Sequence, residues 1–344
     1  MTRVGVLTGG GDVPGLNAAI RAVTRRSLEH GFDVYGIRNG WEGLVEGQVE
    51  PLNLKSVSGI LHVGGTMLGS SRTNPFKRPD DLKKVLDNIR ELGLDAIVAI
   101  GGEDTMGVAE RLNREHGVPA VGVPKTMDND VWGTDYCIGF DTATTTVSEA
   151  LDRLHTTAHS HHRALVVEVM GRHAGWVAVV GGLAGGADFI IIPEVPSSIS
   201  KVCDHMRRRY AMGKRFSIIV VAEGAQITDL NVNEDLGETD AFGHVRLDRR
   251  GLAETIAKQI EKQTGFETRS VVLGHLQRGG SPTVFDRVLA TRLGVRAADM
   301  VKEGKFGFMP ALQGNKIVDF PLTEAMSKMK TVDPALYELA EIFY

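Results

Sequence analysis

The sequence predicts an α/β protein with two similar lobes, each a mostly parallel β-sheet flanked by helices. Three observations support this fold class. Apolar runs alternate with amphipathic stretches along the chain, and continuous apolar runs are typical of strands buried on both faces. A chain of 344 residues exceeds what one hydrophobic core usually serves. Many of the 41 glycines follow apolar runs, where tight strand-to-helix turns need them.

The first predicted unit shows the pattern in full. A strand at residues 4–7 leads into the glycine loop Gly9–Gly11, then into a helix opened by Pro14 and ended near Gly31. Further strands are predicted at residues 34–37, 96–100, 120–123, 164–169, 189–192, 217–222 and 270–273. Residues 226–248 are polar and acidic, and we expect a surface insertion there.

Composition narrows the class of protein. The chain is 42% hydrophobic and 24% charged with a net charge of −4, which favours neither nucleic acid nor an anionic membrane surface as a partner. No apolar run reaches the length of about 20 residues that spans a bilayer. The first strand begins without a charged leader, and only two cysteines, Cys137 and Cys203, are present. We therefore expect a cytoplasmic enzyme.

Two loops carry the most informative chemistry. Gly101-Gly102-Glu103-Asp104-Thr105 and Pro124-Lys125-Thr126-Met127-Asp128-Asn129-Asp130 each follow an apolar strand, where open α/β sheets bind ligands. Carboxylates, a lysine and bare glycine backbone suit Mg²⁺ and phosphate, and one carboxylate could take a proton from a hydroxyl. Taken alone, the paired acids are slightly more typical of an Asx-turn cluster.

Other candidate residues are individually ambiguous. The Gly9–Gly11 loop lacks the Walker A lysine, so it is either a phosphate loop or a tight turn. Histidines at 155 and 159 have helical spacing, but no glutamate follows His155, and we favour a solvated helix end over a metal site. Arginines at strand ends fit phosphate oxygens, although any one of them is more often a solvated charge; they are Arg163, Arg172, Arg269 and Arg278.

The ordered set of motifs closely resembles the phosphofructokinase family. The resemblance covers essentially the whole chain, and its segments are Thr8–Asn17, Gly64–Arg72, the two loops above, Gly133–Phe140, Val167–Arg172 and Leu273–Pro282. It implies a phosphoryl-donor lobe formed by residues 1–140 and 277–327. A sugar-phosphate lobe would then comprise residues 141–276 and 328–344.

The resemblance also implies roles for single residues. Asp128 would deprotonate the 1-hydroxyl of fructose 6-phosphate, flanked by Thr126 and Asp130, while Arg172 helps to stabilise the transferring group. Gly11 and Arg72 would contact the donor phosphates. The sugar phosphate would be held by Met170, Gly171, Arg172, Glu223, His275 and Arg278. Arg163 and Arg269 match positions that reach a neighbouring subunit's site, so we expect a homo-oligomer, either dimer or tetramer.

Donor choice depends on two departures from the ATP-using members, which carry glycine where this chain has Asp104 and Lys125. A carboxylate at 104 would repel the α-phosphate of a nucleotide, and a lysine at 125 would supply a cation on the donor side. Both changes resemble the pyrophosphate-dependent branch, which transfers phosphate reversibly from Mg-pyrophosphate to fructose 6-phosphate. Glu103 stands at the Mg²⁺-associated position, where aspartate is usual.

Alternatives remain at this point. The chain could be an ATP-dependent member with an unusual donor pocket, or a catalytically silent subunit that binds sugar phosphates. Regulation is expected to be weak. Arg21 and Arg25 match the effector-site helix of regulated bacterial members, but Leu54 and His155 replace two of its arginines.

Overall fold

The computed structural model describes residues 1–230 and 251–344. These residues form two compact units. The first contains Met1–Thr142 and Arg278–Lys330, and the second contains residues 143–230, 251–277 and 331–344. Of the predicted insertion, residues 231–248 lie outside the described part of the chain.

The first unit is built on a seven-stranded sheet in the order β11-β10-β5-β4-β1-β2-β3. Its five central strands are parallel, and an antiparallel strand closes each edge. The strands are β1 (Arg3–Thr8), β2 (Asp33–Ile37), β3 (Val49–Leu52), β4 (Ala96–Gly101), β5 (Ala120–Pro124), β10 (Phe308–Gln313) and β11 (Lys316–Pro321). The helices are α1 (Leu16–Glu29), α2 (Trp41–Glu46), α3 (Pro79–Glu91), α4 (Glu103–His116), α9 (Val284–Lys302) and α10 (Leu322–Ala325), with a short 3-10 helix at Pro75–Lys77.

The second unit is built on a four-stranded, fully parallel sheet in the order β7-β8-β6-β9. Its strands are β6 (Ala164–Val169), β7 (Phe189–Ile191), β8 (Ser217–Ala222) and β9 (Thr268–Val272). Its helices are α5 (Phe140–His161), which starts at the end of the first unit, α6 (Trp176–Ala184), α7 (Ile199–Ala211), α8 (Leu252–Thr264) and α11 (Pro334–Glu341). A 3-10 helix at Gly274–Arg278 follows β9.

The predicted fold class is confirmed. Strands β6 and β8 match their predicted bounds because every residue in both is buried, as their continuous apolar runs require. The prediction that Pro14 opens α1 was wrong by two residues. Gly15 has φ of 112°, which is not helical, so α1 begins at Leu16.

Each unit has its own core. In the first unit, side chains from β1, α2 and α4 pack around Leu7, Trp41 and Leu112. In the second, β8, α7 and α8 pack around Ile219, Val202 and Ile256. None of the helices in the described residues is both long and apolar enough to cross a bilayer. These cores hold the strand ends, and the loops that follow those ends carry the candidate site.

Candidate active site

Three loops of the first unit lie next to one another because they leave the carboxyl ends of adjacent parallel strands. Strand β4 pairs with β1 on one side and β5 on the other. The Gly9 amide donates to the Ile100 carbonyl at 3.0 Å, and the Lys125 amide donates to the Gly101 carbonyl at 3.0 Å. The glycine loop, the Glu103–Asp104 turn and the Lys125–Asp130 loop therefore share one edge of the sheet.

Lys125 is joined to the glycine loop. Its ammonium Nζ donates hydrogen bonds to the carbonyl oxygens of Gly9 at 2.9 Å and Gly11 at 2.6 Å. The side chain is buried, and burial, together with the nearby charge of Arg278, lowers its pKa to about 8. The lysine side chain thus supports the glycine loop from inside the protein. It remains mostly charged at neutral pH.

Arg278 lies against the same loop. A Cβ atom added to Gly11 would lie 2.4 Å from Nη1 of Arg278, and this Nη1 donates to the Asp12 carbonyl at 3.2 Å. Only glycine at position 11 lets the guanidinium approach this closely. Arg278, predicted to hold the sugar phosphate, thus belongs to the unit that carries the predicted donor residues.

Glu103 and Asp104 occupy the first turn of α4, directly after the helix N-cap Gly102. Negative charge is favourable at a helix N-terminus, so two acidic side chains suit this position. Glu103 is exposed and Asp104 is half-buried. Arg72 follows Ser71, whose carbonyl accepts the Gly10 amide at 3.1 Å, and this places the arginine beside the glycine loop.

The Lys125–Asp130 loop places two half-buried carboxylates on either side of a buried asparagine. The Asp128 amide donates to Thr126 Oγ1 at 3.1 Å. Asn129 has φ of 52° and is 2% exposed, and its side chain bonds to the main chain of Asp135 and Cys137 at 3.0 and 2.9 Å. With the asparagine fixed inside, Asp128 and Asp130 are held half-buried in the loop, and a carboxylate so held can act as a general base.

A second group of predicted residues shares one edge of the second unit's sheet. Strands β8, β6 and β9 are neighbours, and their carboxyl ends lead into Glu223, the turn Met170-Gly171-Arg172, and His275. The Met170 amide donates to Gln277 Oε1 at 3.3 Å, which ties this turn to the 3-10 helix of His275. An arginine, a histidine and main-chain amides at one sheet edge suit a phosphate group.

The arginine turn is shaped by two glycines. Gly171 has φ of 140°, and the Gly224 amide donates to its carbonyl at 3.1 Å. A Cβ atom on Gly224 would lie 1.8 Å from the Arg172 carbonyl oxygen. Sequence reasoning missed Gly224 as a site residue, although its place directly after Glu223 at a strand end was the available signal.

Arg163 and Arg269 lie at the opposite edge of this sheet. Arg163 precedes β6 and Arg269 is the second residue of β9, so both are at the amino ends of their strands. Both pair with Glu267, with nitrogen–oxygen distances of 2.9 and 2.7 Å. Six residues of β6 separate Arg163 from the Arg172 turn, about 20 Å at about 3.3 Å per residue. Within one chain, these arginines cannot hold the same phosphate as Arg172.

The sequence of the chain was compared with known proteins. A family model described as phosphofructokinase matches residues 3–301. The chain belongs to the phosphofructokinase family. A solved structure of similar fold is known. The pyrophosphate-dependent phosphofructokinase from Marinobacter aquaeolei has a TM-score of 0.82 at 24% identity, with 97% of this chain and 86% of that chain covered. This similarity supports the fold.

Curated relatives of this phosphofructokinase include both donor types. The pyrophosphate--fructose 6-phosphate 1-phosphotransferase of Streptomyces coelicolor is 56% identical over 343 residues, covering 99% of each chain. The protein of the same name from Dictyoglomus thermophilum is 50% identical over 343 residues, covering 99% of this chain and 98% of its own. ATP-dependent 6-phosphofructokinase 3 of Streptomyces coelicolor is 49% identical over 340 residues, covering 98% of this chain and 99% of its own.

Proposed function

We propose that this phosphofructokinase uses pyrophosphate as its phosphoryl donor and the 1-hydroxyl of fructose 6-phosphate as its acceptor. The observation that carries the proposal is the buried Lys125, whose ammonium bonds to the glycine loop. ATP-using members carry glycine at both positions. The names of relatives at 50–56% identity support the same donor.

Asp104 supplies the argument against a nucleotide. A half-buried carboxylate in the first turn of α4 places negative charge on the donor edge. Pyrophosphate has no third phosphate or nucleoside to fit beside that carboxylate, whereas ATP would bring another phosphate towards it. Repulsion between like charges grows as the effective dielectric falls, so this side chain discriminates between the two donors.

In the proposed reaction, the 1-hydroxyl oxygen attacks one phosphorus atom of pyrophosphate. A new phosphorus–oxygen bond forms to the sugar, the bridging phosphorus–oxygen bond breaks, and orthophosphate leaves. Asp128 accepts the hydroxyl proton, with Thr126 and Asp130 beside it. Lys125 and Arg172 offset the charge that develops on the transferring group, and Gly11 and Arg72 contact the donor phosphates. Because pyrophosphate provides less driving force than ATP, we expect the reaction to run readily in both directions.

The acceptor is held by its phosphate. We assign the 6-phosphate to Arg172, His275, Glu223 and the main chain of Met170 and Gly171, with Arg278 as a further cation. We accordingly assign the sugar phosphate to the second unit and the phosphoryl donor to the first.

We assign Mg²⁺ to Glu103, together with oxygens of the bound pyrophosphate. Within residues 1–230 and 251–344, no three His, Cys, Asp or Glu side chains are grouped as a metal site. This fits Mg²⁺ in phosphoryl transfer, which takes one or two carboxylates and completes its shell with water and phosphate. When bound, Mg²⁺ neutralises charge on the pyrophosphate oxygens.

We further propose a homo-oligomer in which Arg163 and Arg269 complete the site of a neighbouring subunit. The separation of about 20 Å between Arg163 and the Arg172 turn supports this assignment. An oligomer of this kind, with buried free thiols at Cys137 and Cys203, suits the reducing cytoplasm.

The experiment that tests the function is formation of fructose 1,6-bisphosphate from fructose 6-phosphate and Mg²⁺, with pyrophosphate and ATP assayed side by side. Turnover with pyrophosphate supports the proposal. Turnover with ATP alone would show an ATP-dependent member, and no turnover with either donor, despite sugar-phosphate binding, would show a silent subunit.

A further inference from the structure

The end of the first unit pairs with the loop that carries Asp128 and Asp130. Met329 forms an antiparallel bridge with Val131, and the Lys330 amide donates to the Asp130 carbonyl at 2.8 Å. This contact places a second extended segment alongside the loop. The main chain of Asp130 is therefore fixed from a segment far away in the sequence.

The Lys330 side chain fixes the other end of the same loop. Its Nζ donates to the Asp135 carbonyl at 2.6 Å, across 195 positions of sequence. Asn129 Nδ2 donates to the same carbonyl at 3.0 Å. Two donors thus converge on one oxygen, and together they close the loop from Asn129 to Asp135 into a ring of hydrogen bonds.

Placing a lysine at this position costs desolvation free energy, which indicates that its role is more than packing. Burial lowers the pKa of Lys330, while Cys137, Asp135 and Asp130 act in the opposite direction. Lys330 is half-buried, so its ammonium loses part of its hydration, and an apolar side chain of similar length would avoid that cost. Stability alone therefore does not account for this lysine.

We propose that Lys330 is a positioning residue for phosphoryl transfer, which holds the Asp128–Asp130 loop through the carbonyls of Asp130 and Asp135. The proposal rests on the function proposed above. In this proposal Lys330 acts through the loop and contacts neither donor nor acceptor. Its loss should misplace the carboxylates without changing the groups that bind the two substrates.

The test compares Lys330→Met with Lys328→Met in the full-length protein. Lys328 is exposed, and its Nζ lies 3.6 Å from the centre of the Trp132 ring, so it contacts the same loop from outside. The measurements are kcat, KM for fructose 6-phosphate and for pyrophosphate, and the midpoint of thermal unfolding. Lys330→Met should lower kcat about 10- to 100-fold, since misplacing a catalytic group by about 1 Å costs about 10²-fold.

In Lys330→Met, both KM values should stay within about two-fold and the melting temperature should not fall, because a half-buried, partly desolvated charge has been removed. Lys328→Met should match the native protein. An unchanged kcat in Lys330→Met would overturn the proposal, as would a loss of kcat that accompanies a lower melting temperature.

Failure of the proposed function is distinguished by the native protein in the same assay. If the native chain turns over neither donor, hydrogen exchange at the Cys137 amide provides the readout, since this amide bonds to Asn129 Oδ1 at 2.9 Å. Faster exchange in Lys330→Met than in Lys328→Met supports the loop contact. Equal exchange in the two variants would overturn it.

Discussion

The ammonium of Lys125 lies 2.6 Å from the main-chain carbonyl oxygen of Gly11, although the two residues are 114 positions apart. In a trans peptide the following N–H points away from the carbonyl. By holding the Gly11 carbonyl, Lys125 therefore directs the Asp12 amide to the opposite side of the loop. We infer that the lysine both supplies charge and orients main-chain donors for a phosphate.

The first prediction concerns Lys125 and pH. Lys125 is charged below about pH 8 and loses its proton as the pH rises through that value. Its charge-assisted hydrogen bonds to the loop then weaken, so kcat/KM for pyrophosphate should fall along a basic limb near pH 8. In Lys125→Arg the side chain stays charged, and the limb should move to higher pH. Identical pH profiles of native and Lys125→Arg protein would contradict this role.

The second prediction separates the charge of Asp104 from its volume. Asp104→Asn keeps the side-chain size and removes the negative charge, whereas Asp104→Gly removes both. If repulsion excludes ATP, both variants should bind ATP more tightly than the native chain, by about 10-fold or more. ATP affinity measured by calorimetry checks this. An increase in Asp104→Gly alone would indicate steric exclusion, and unchanged affinity in both would refute the exclusion by Asp104.

The third prediction tests Asp128 as the base. Asp128→Asn should lower kcat by about 10²- to 10⁴-fold, the usual contribution of a general base, with KM for fructose 6-phosphate little changed. Asp152→Asn, on the exposed face of α5, serves as the matched control and should retain native kcat. A near-native rate in Asp128→Asn would remove Asp128 from the mechanism.

The fourth prediction tests sharing of sites between subunits. Arg163→Ala and Asp128→Asn should each be nearly inactive at low fructose 6-phosphate concentration. In a mixed dimer with shared sites, one site carries both changes and the other carries neither. Random reassembly of equal amounts should therefore restore about a quarter of native activity. No recovery after confirmed subunit exchange would place Arg163 outside the neighbouring site.

The fifth prediction concerns effectors. Arg21 and Arg25 line a cavity of about 500 Å³ that also contains Arg26 and Leu54. Arg26 is engaged by Asp299 at 2.6 Å and Glu29 at 2.9 Å, so its charge is already offset. We expect ADP and phosphoenolpyruvate to change the half-saturating fructose 6-phosphate concentration by less than about two-fold. Strong sigmoidal inhibition in a titration would contradict this expectation.

Local sequence patterns were sufficient to predict the buried parallel strands and the loops at their ends. Strands β6 and β8 were predicted to the residue, since both are mostly apolar and buried along their whole length. The hairpin of β10 and β11 was not predicted, because every residue of β11 is half-buried or exposed and its run is not apolar. Edge strands of this kind depend on pairing that a local pattern does not contain.

The contacts at the site that the sequence did not predict also depend on pairing between distant segments. Lys125 and Asp104 were found because they depart from a family pattern within a single loop. The bond from Lys125 to the glycine loop and the bond from Lys330 to Asp135 join segments more than 100 positions apart. Only the packing of strand ends in three dimensions reveals such contacts.

The central claim is that Asp104 and Lys125 together set the phosphoryl donor. The most direct measurement is the ratio of kcat/KM for pyrophosphate to that for ATP, in the native chain and in the double variant Asp104→Gly with Lys125→Gly. We predict a large ratio for the native chain and a fall of at least about 10²-fold in the double variant, as ATP becomes usable and pyrophosphate loses its cation. A native chain that prefers ATP, or a ratio that the double substitution leaves unchanged, would contradict the claim.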